Sequence, residues 1–370
     1  MALDPRGAYS DAAVLAALRG TTGVRRLTYR YDRLSSSNAY LGPLSSVFRG
    51  SVSNNSLADI KRTARFSVLD DSTINYGSDR IKPYARLGMD NGGFVEWPLG
   101  VFLLATPSRA LVSANYVSRE VEAYDQLLIL AQDGLSDRLS YAAGTLYTAA
   151  LSAIGASRGF ALNVTPSPLV MPAATEWEPG VSYLRVVNDL LAAINYESAL
   201  FDENGVFVCR PYVAPSVRGS IYTYASDAVS VLSGDVGQTI DYFSVPNRWT
   251  IVKSDADQGV LVSTYTNTSP TSPTSTVNRG RIITDFRTEQ DAANQSTLDA
   301  KAARLAFEAS QIFEKVVFST MAMPFHGTAD VLALQLSELT IASKYSEQSW
   351  ELELTAGAVM KHSVRRVVSV

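Results

Sequence analysis

Alternating hydrophobic and polar residues recur in the first third of the chain, and this period of two is typical of half-buried β-strands. Val24–Tyr31 and Thr63–Leu69 both show it. Between two such runs, Asp90–Gly93 tolerates positive φ and predicts a hairpin turn. The strand signal of Phe94–Thr106 is interrupted at Pro98, because proline cannot donate a hydrogen bond to a strand ladder. The N-terminal region therefore predicts a β-rich domain.

The pattern changes in the middle of the chain, where hydrophobic residues recur every three or four positions, as in amphipathic helices. Glu122–Gln132, Thr145–Ser157 and Val181–Tyr196 fit such helices, and a glycine follows each of the first two as a stop signal. Glu203–Gly205 then predicts another hairpin turn. Residues 121–205 together predict a small α+β insert.

The last third returns to strands. Asn247–Lys253 and Val260–Thr266 are rich in β-forming residues. The Ser/Thr/Pro tract Thr268–Val277 favours an extended, exposed loop over packed structure. A long helix is predicted over Glu289–Phe313 from apolar residues spaced alternately by four and three. Strands resume after this helix, at Lys315–Met323, Trp350–Thr355 and Lys361–Val370.

Composition excludes several classes of protein. The 370 residues include one Cys and two His, so the chain cannot be a disulfide scaffold and can hardly build a zinc site from Cys and His alone. No cationic, apolar leader opens the sequence, and no apolar run approaches the roughly 20 residues of a membrane-spanning helix. We expect synthesis and folding in a cytosol.

Charge is unevenly distributed, although the net charge is only −4. Residues 24–66 contain eight basic and two acidic residues, whereas residues 165–210 contain six acidic and two basic ones. Such asymmetry indicates either contact with charged partners or merely solvated faces. Because the chain as a whole is acidic, its net charge gives no reason to expect nucleic-acid binding.

A search for catalytic motifs returns only weak candidates. No nucleophile elbow, phosphate-binding loop or dinucleotide fingerprint occurs. The acidic pairs Asp70/Asp71 and Glu176/Glu178 are the best carboxylates for a hydrolase, which needs two of them about 5–9 Å apart across a cleft. Neighbouring residues on a strand point to opposite faces, and acidic doublets are common in turns, so the structural interpretation is favoured.

The two histidines and the cysteine also favour structural roles. His326 lies in a predicted loop, where histidines are more often structural than catalytic. His362 lies among cationic neighbours, which disfavour its protonation. Cys209 lies inside an apolar strand, where a thiol behaves as a small hydrophobic group. We therefore predict no catalytic residue, no cofactor site and no metal site.

Several collinear segments resemble the hub proteins of tailed bacteriophages, the siphophage tail-tip or baseplate hub that actinobacterial phages carry as a minor tail protein. Together these segments extend over most of the chain. Examples are Arg26–Tyr31 (RLTYRY), Pro98–Ser108 (PLGVFLLATPS), Phe201–Tyr212 (FDENGVFVCRPY), Val245–Trp249 (VPNRW) and Ser272–Arg281 (SPTSTVNRGR).

This resemblance implies an α+β, β-rich fold with two tube-type β-barrel domains, an inserted small α+β domain and a long helix packed on the second barrel. The implied domains are an N-terminal helical segment at 1–23, a first barrel at 24–120 completed by 206–234, the insert at 121–205, and a second barrel at 235–370. The second barrel would carry an accessory loop at 266–280 and the helix at 289–313.

The resemblance also implies a structural function in the virion, at the tail tip. A homotrimer would form a ring of six similar barrels between the tail tube or distal tail protein above and the tip, fibre or tape-measure proteins below. DNA would pass through the lumen without specific binding. The basic 24–66 segment is then expected to contact acidic neighbouring subunits, with Arg25, Arg26, Arg62 and Arg65 as the interface residues.

Three alternatives stay open. One is a tail-tip cell-wall hydrolase that uses the acidic pairs above. Another is a glycan-binding receptor module that uses Trp97, Trp177 or Tyr222. The third is the distal tail ring, which resembles the hub but has a single barrel.

Overall fold

The computed structural model describes residues 3–113, 116–241, 243–255, 259–288, 292–310 and 314–367, and within them the chain is the β-rich α+β protein that the sequence predicts. The N-terminal region has one helix followed by eight strands. Its elements are α1 (Asp11–Arg19), β1 (Leu27–Leu34), β2 (Tyr40–Pro43), β3 (Val47–Asn55), β4 (Arg62–Leu69), β5 (Arg80–Gly88), β6 (Phe94–Pro98), β7 (Phe102–Ser113) and β8 (Tyr116–Tyr124).

The middle region combines three helices with short strands. Its elements are α2 (Leu127–Gln132), β9 (Leu139–Tyr141), α3 (Tyr147–Ser157), β10 (Ala161–Val164), β11 (Thr175–Trp177), α4 (Tyr183–Ala193), β12 (Leu200–Phe201) and β13 (Val206–Cys209). Ser182 caps α4 by accepting a hydrogen bond from the Arg185 amide, as its position predicts. Leu151, Val187, Leu191 and Phe207 are among the residues of a hydrophobic core confined almost entirely to this region.

The C-terminal region is again mostly strands. Its elements are β14 (Tyr222–Ala225), β15 (Gly237–Ile240), β16 (Arg248–Asp255), β17 (Gly259–Thr266), α5 (Thr276–Arg279), β18 (Thr284–Thr288), α6 (Gln295–Ser310), β19 (Glu314–Met321), β20 (Val331–Leu336), β21 (Ile341–Glu353) and β22 (Val359–Arg366). Helix α6 packs Leu298 and Ala302 on Ile251 of β16. No helix of the described part of the chain is long and apolar enough to span a membrane.

One large sheet connects the two ends of the chain. Its strand order is β15-β19-β22-β21-β3-β4-β8-β7-β5-β1-β2, with β6 beside β5 and with β20 and then β14 beside β21. The two ends meet where Ser349–Glu353 of β21 pairs antiparallel with Ser51–Asn55 of β3. Because the sheet is continuous there, a single hydrophobic core contains both Phe66 from the N-terminal region and Phe318 from the C-terminal region.

Several predicted elements are confirmed with shifted ends, and one helix is partly wrong. The turn at Asp90–Gly93 joins β5 to β6, and the break near Pro98 separates β6 from β7. The helix predicted from Glu122 instead begins at Leu127, because strand β8 continues to Tyr124 and pairs with β4. An alternating Val-Glu-Ala-Tyr stretch satisfies the strand period before the helix period begins.

The Ser/Thr/Pro tract was predicted to be an extended, exposed loop, and this prediction is partly wrong: five of its ten residues are exposed, but the tract is not extended. Ser272, Thr274 and Ser275 are buried, and α5 forms at its end. The Asn267 side-chain amide donates to the Ser272 hydroxyl at 2.9 Å, so local hydrogen bonds compact the tract. The helix predicted over Glu289–Phe313 is α6, which begins at Gln295. Residues 289–291 and 311–313 of that prediction lie outside the described residues. The same holds for residues 368–370 of the last predicted strand.

The segment 206–234 was expected to complete the first barrel, but its strands pair elsewhere. Val206–Cys209 pairs with β10 and β12 inside the middle region. Tyr222–Ala225 pairs in parallel with β20 of the C-terminal region. The division of the chain into two barrel domains stays a prediction.

Candidate assembly surface and buried polar clusters

The four arginines predicted at a subunit interface occupy different environments. Arg26 and Arg65 are exposed, and the Arg65 guanidinium lies 4.0 Å from the Glu122 carboxylate. Arg25 is half-buried and donates to the Ala322 carbonyl. Arg62 is only 1% exposed. Arg26 and Arg65 are therefore available to a partner, whereas Arg62 is engaged within the chain.

Arg62 connects the N-terminal strands with the middle region. Its guanidinium bonds the Glu203 carboxylate of the β12–β13 hairpin and donates to the Leu99 carbonyl at 3.1 Å. Its amide donates to the Asp125 carboxylate at 3.0 Å. Burial raises the pKa of Asp125 to about 6, against the opposing effect of the hydrogen bonds that its carboxylate accepts from the Arg62 and Leu127 amides. A buried arginine with two intramolecular partners holds the hairpin on the sheet.

The β16–β17–β18 sheet has one covered face and one open face. Trp249 and Ile251 of the central strand are buried on the face toward α6. On the other face, Val260, Val262 and Phe286 are between 51% and 64% exposed. These side chains share one face of the sheet, because Val262 lies opposite Val252 of β16 and Phe286 lies opposite Thr250, two residues earlier on the same strand. Apolar side chains grouped on an open sheet face are typical of an interaction surface.

The large sheet ends in strands that lack a second neighbour among the described residues. At one end, β2 pairs with β1 alone, and its Tyr40 is 62% exposed. At the other end, β15 pairs with β19 alone, and Phe243 beyond it is 74% exposed. Unpaired strand edges favour hydrogen bonding to another chain. This molecule therefore presents both strand edges and apolar faces to its surroundings.

The two histidines belong to a ring of buried polar side chains in the C-terminal core, joined by hydrogen bonds. Glu347 accepts from Nδ1 of His326 at 2.7 Å and from Nδ1 of His362 at 2.6 Å. The second nitrogen, Nε2, lies 2.8 Å from the Tyr224 hydroxyl in His326 and 3.0 Å from the Thr320 hydroxyl in His362. Thr320 also interacts with the Tyr224 hydroxyl and opposes the rise that burial causes in its pKa, so the five side chains are arranged as a ring. All five side chains are buried.

Four hydrogen bonds join the side chains of this ring and need four hydrogens, which the two hydroxyl groups and one Nδ1–H group of each imidazole supply. The hydrogen bonds alone therefore do not require a protonated imidazole, and the surroundings of each imidazole decide its charge. The Glu347 carboxylate raises the pKa of His326 against desolvation, whereas desolvation lowers the pKa of His362. His326 is therefore the imidazole that protonates first, and its charge together with the hydrogen bonds from both histidines lowers the pKa of Glu347 to about 2 against desolvation.

The sequence predicted a neutral His362, and the direction of the shift agrees, but its cause differs. The cationic neighbours on the strand were expected to disfavour protonation, whereas burial is the main cause. His362 also donates its Nδ1–H to a carboxylate 15 residues away, that of Glu347, which the sequence did not indicate. No local pattern around Glu347 marks it, because one partner comes from strand β22 and the other from the loop between β19 and β20.

The types of residue in this ring also suit a metal ion. Ligand atoms of His326, Glu347 and His362 lie within 4.8 Å of one another, and two histidines with one carboxylate are a known donor set. Each Nδ1, however, already donates to the carboxylate, and each Nε2 has a hydroxyl partner. A metal ion would have to replace these bonds, so the arrangement fits a structural role for the ring.

The acidic pairs considered for hydrolysis are engaged in ion pairs. Glu176 and Glu178 both bind the exposed Arg138, at 3.1 and 2.9 Å. Asp70 binds Arg109 and Arg119, and these bonds lower the pKa of its carboxyl. A general acid needs a raised pKa, so the environment of Asp70 is unsuited to that role.

The aromatic residues considered for glycan binding are buried. Trp97 is 3% exposed and donates its indole N–H to the Leu3 carbonyl at 2.8 Å. Trp177 donates to Asp189 at 2.9 Å, and Tyr222 packs against Tyr224. A ring that stacks on a sugar must be exposed, so these three side chains serve the core instead. Cys209 is buried too, and burial raises the pKa of its thiol to about 12.

Comparisons with known proteins identify the fold. No protein-family model and no curated protein matches the sequence. The tail protein from Neisseria meningitidis MC58 superposes with a TM-score of 0.64 at 10% identity, over 91% of this chain and 96% of that one.

Two further solved structures give similar results. The 43 kDa tail protein of prophage MuSo2 from Shewanella oneidensis has a TM-score of 0.60 at 8% identity, over 90% of this chain and 98% of its own. The prophage tail protein gp18 from Listeria monocytogenes EGD-e has a TM-score of 0.59 at 14% identity, over 91% of this chain and 94% of its own. The chain therefore shares the fold of these tail proteins along almost its whole length.

Proposed function

We propose that this chain is a structural hub of a tailed-phage tail tip, three copies of which form a ring around a channel for DNA. The observation that carries the proposal is the shared fold with three tail proteins over about nine-tenths of each chain. The hub joins the tail tube or distal tail protein above to tip, fibre or tape-measure proteins below.

The surface of the molecule supports assembly. Open strand edges at β2 and β15 and the apolar face formed by Val260, Val262 and Phe286 are features that neighbouring subunits cover in assemblies. The candidate catalytic and glycan-binding residues have structural partners, so neither alternative gains a supporting observation.

We propose Arg26 and Arg65 as the interface arginines, together with the half-buried Arg25. Arg62 contributes indirectly, because it holds the hairpin that contains Glu203. Reversal of charge at Arg62 should therefore unfold or loosen the subunit, which is a different outcome from loss of assembly.

The experiment compares wild type with the double variant Arg26→Glu and Arg65→Glu. Sedimentation velocity and negative-stain electron microscopy, with and without the adjoining tail proteins, should give threefold rings for wild type and monomers for the variant. Thermal unfolding should be nearly the same, because exposed ion pairs contribute only about 0–1 kcal/mol.

Arg138→Glu is the matched control, since Arg138 is also an exposed, ion-paired arginine but lies in the middle region. This variant should still form rings. A wild-type chain that stays a monomer beside its tail partners would contradict the hub, and normal rings from the double variant would remove these two arginines from the interface.

A further inference from the structure

A cavity of about 520 Å³ lies where all three regions of the chain meet. Its walls come from the loop after β3, the β12 hairpin and the segment after it, helix α6, and the sheet strands β21 and β22. A volume of this size is typical of a small-molecule site.

The cavity wall is rich in cations. Five described residues of the wall are basic, against three acidic ones. The basic residues are Lys61, Arg218, Arg287, Arg304 and Arg365, and the acidic residues are Asp59, Glu197 and Glu308.

Most of the acidic residues already have cationic partners. Glu308 binds Arg304 at 2.8 Å, and Glu197 binds Arg210, outside the cavity wall, at 2.7 Å. Arg287 has its own partner in Asp285 at 2.9 Å. Within the described residues this pairing leaves Lys61, Arg218 and Arg365 opposite the exposed Asp59 alone, an excess of about two positive charges.

Two polar atoms of this wall are buried without a hydrogen-bond partner, Nε of Arg218 and the hydroxyl of Tyr212. Desolvation lowers the pKa of Arg218 against the smaller opposing effects of the Glu197 and Asp330 charges, and desolvation also lowers the pKa of Arg365. Buried polar groups almost always have partners in folded proteins, so unpartnered donors on a cationic wall point to a ligand that accepts hydrogen bonds.

Lys61 is the third cation and is only 6% exposed. Its ammonium donates to the carbonyls of Ser56 at 3.0 Å and Ala58 at 3.2 Å, which uses two of its three N–H groups. These carbonyls hold the ammonium in position without neutralising its charge.

We propose that this cavity binds a small oxyanion, of the phosphate or carboxylate type, through Arg218, Arg365, Lys61 and the hydroxyl of Tyr212. Guanidinium groups match the planar geometry of both anions, and a dianion balances the excess charge. The bound anion would join the middle region to helix α6 and the C-terminal sheet. The proposal is independent of the tail function, since it rests on the charges of the cavity alone.

The test is isothermal titration calorimetry of the full chain with inorganic phosphate, and separately with citrate, at an ionic strength held constant with sodium chloride. Saturable binding is expected for at least one anion, and the stronger of the two identifies the phosphate or the carboxylate type. Arg218→Gln and Arg365→Gln should each weaken binding at least tenfold, as expected for loss of one charged hydrogen bond of about 1.4 kcal/mol or more.

Arg138→Gln removes an exposed arginine away from the cavity and should bind as wild type does. Circular dichroism establishes which variants fold. If Arg218→Gln does not fold, the binding measured for Arg365→Gln decides the question. Absence of saturable binding for both anions would overturn the proposal, and so would equal affinity in wild type and in the folded cavity variants.

Discussion

The hydrogen-bond ring around Glu347 and the cationic cavity beside α6 use similar side chains in opposite ways. In the ring, five buried polar side chains are hydrogen-bonded to one another, and both histidines donate to the Glu347 carboxylate. In the cavity, Arg218 and Tyr212 keep buried donors without partners. A closed network contributes to the stability of a fold, whereas an open one is available for binding.

The same contrast occurs within one strand. Arg62 and Arg65 are three residues apart on β4 and face opposite sides of the sheet. Arg62 is buried and hydrogen-bonded to Glu203 and Leu99, while Arg65 is mostly exposed beside Glu122. Residue type alone does not distinguish an internal connector from a surface group.

The largest effect is expected from Glu347→Gln. This change removes the charge that balances His326 and one of the two acceptors of the ring, so the free energy of unfolding should fall by about 3–5 kcal/mol. Urea denaturation measures it. Glu351→Gln, a partly exposed position on the same strand, should change stability by less than about 1 kcal/mol. A loss below 1 kcal/mol in Glu347→Gln would mean that the ring is not an essential part of the core.

An intermediate effect is expected from pH. Unfolded imidazoles titrate near their ordinary pKa of about 6.5, whereas the folded ring keeps one proton because the pKa of His326 is raised and that of His362 lowered. Below pH 6.5 the unfolded chain binds more protons than the ring, so stability rises with pH. Above pH 6.5 the ring binds more, so stability falls as pH rises through the pKa of folded His326.

The ring's contribution to unfolding free energy should therefore peak near pH 6.5, with slopes of at most about 1.4 kcal/mol per pH unit on each side. Asp330 lies near His326, and burial raises its pKa, so it adds its own loss of stability with rising pH. Urea titrations across pH in an Asp330→Asn background isolate the imidazoles. His326→Asn should remove the decline above pH 6.5; a decline that persists there would assign it to other groups.

The smallest effect is expected from Arg365→Gln in the absence of phosphate or citrate. This guanidinium is partly desolvated and has no carboxylate partner among the described residues, so its loss should change stability by less than about 0.5 kcal/mol or increase it slightly. Thermal unfolding with and without the anions measures the difference. A large loss of stability without anions would make Arg365 part of the closed core, like Glu347.

Local elements were predictable because their signals are local. The strand periods of β1 and β4, the Ser182 cap of α4 and the turn before β6 could all be read from neighbouring residues. The helix predicted from Glu122 was wrong at its start because pairing with β4 extends strand β8. The prediction of an extended loop for the Ser/Thr/Pro tract failed because its side chains hydrogen-bond one another and the preceding Asn267.

The sequence by itself determined the β-rich class and the helical middle, since composition and periodicity are properties of short windows. Only the tertiary structure decided which charged side chains have partners within the chain and which are available for binding. The partners of His326 lie 102 and 21 residues away, and the cations of the cavity come from opposite ends of the chain. Contacts over such separations depend on strand order and packing, which no local pattern encodes.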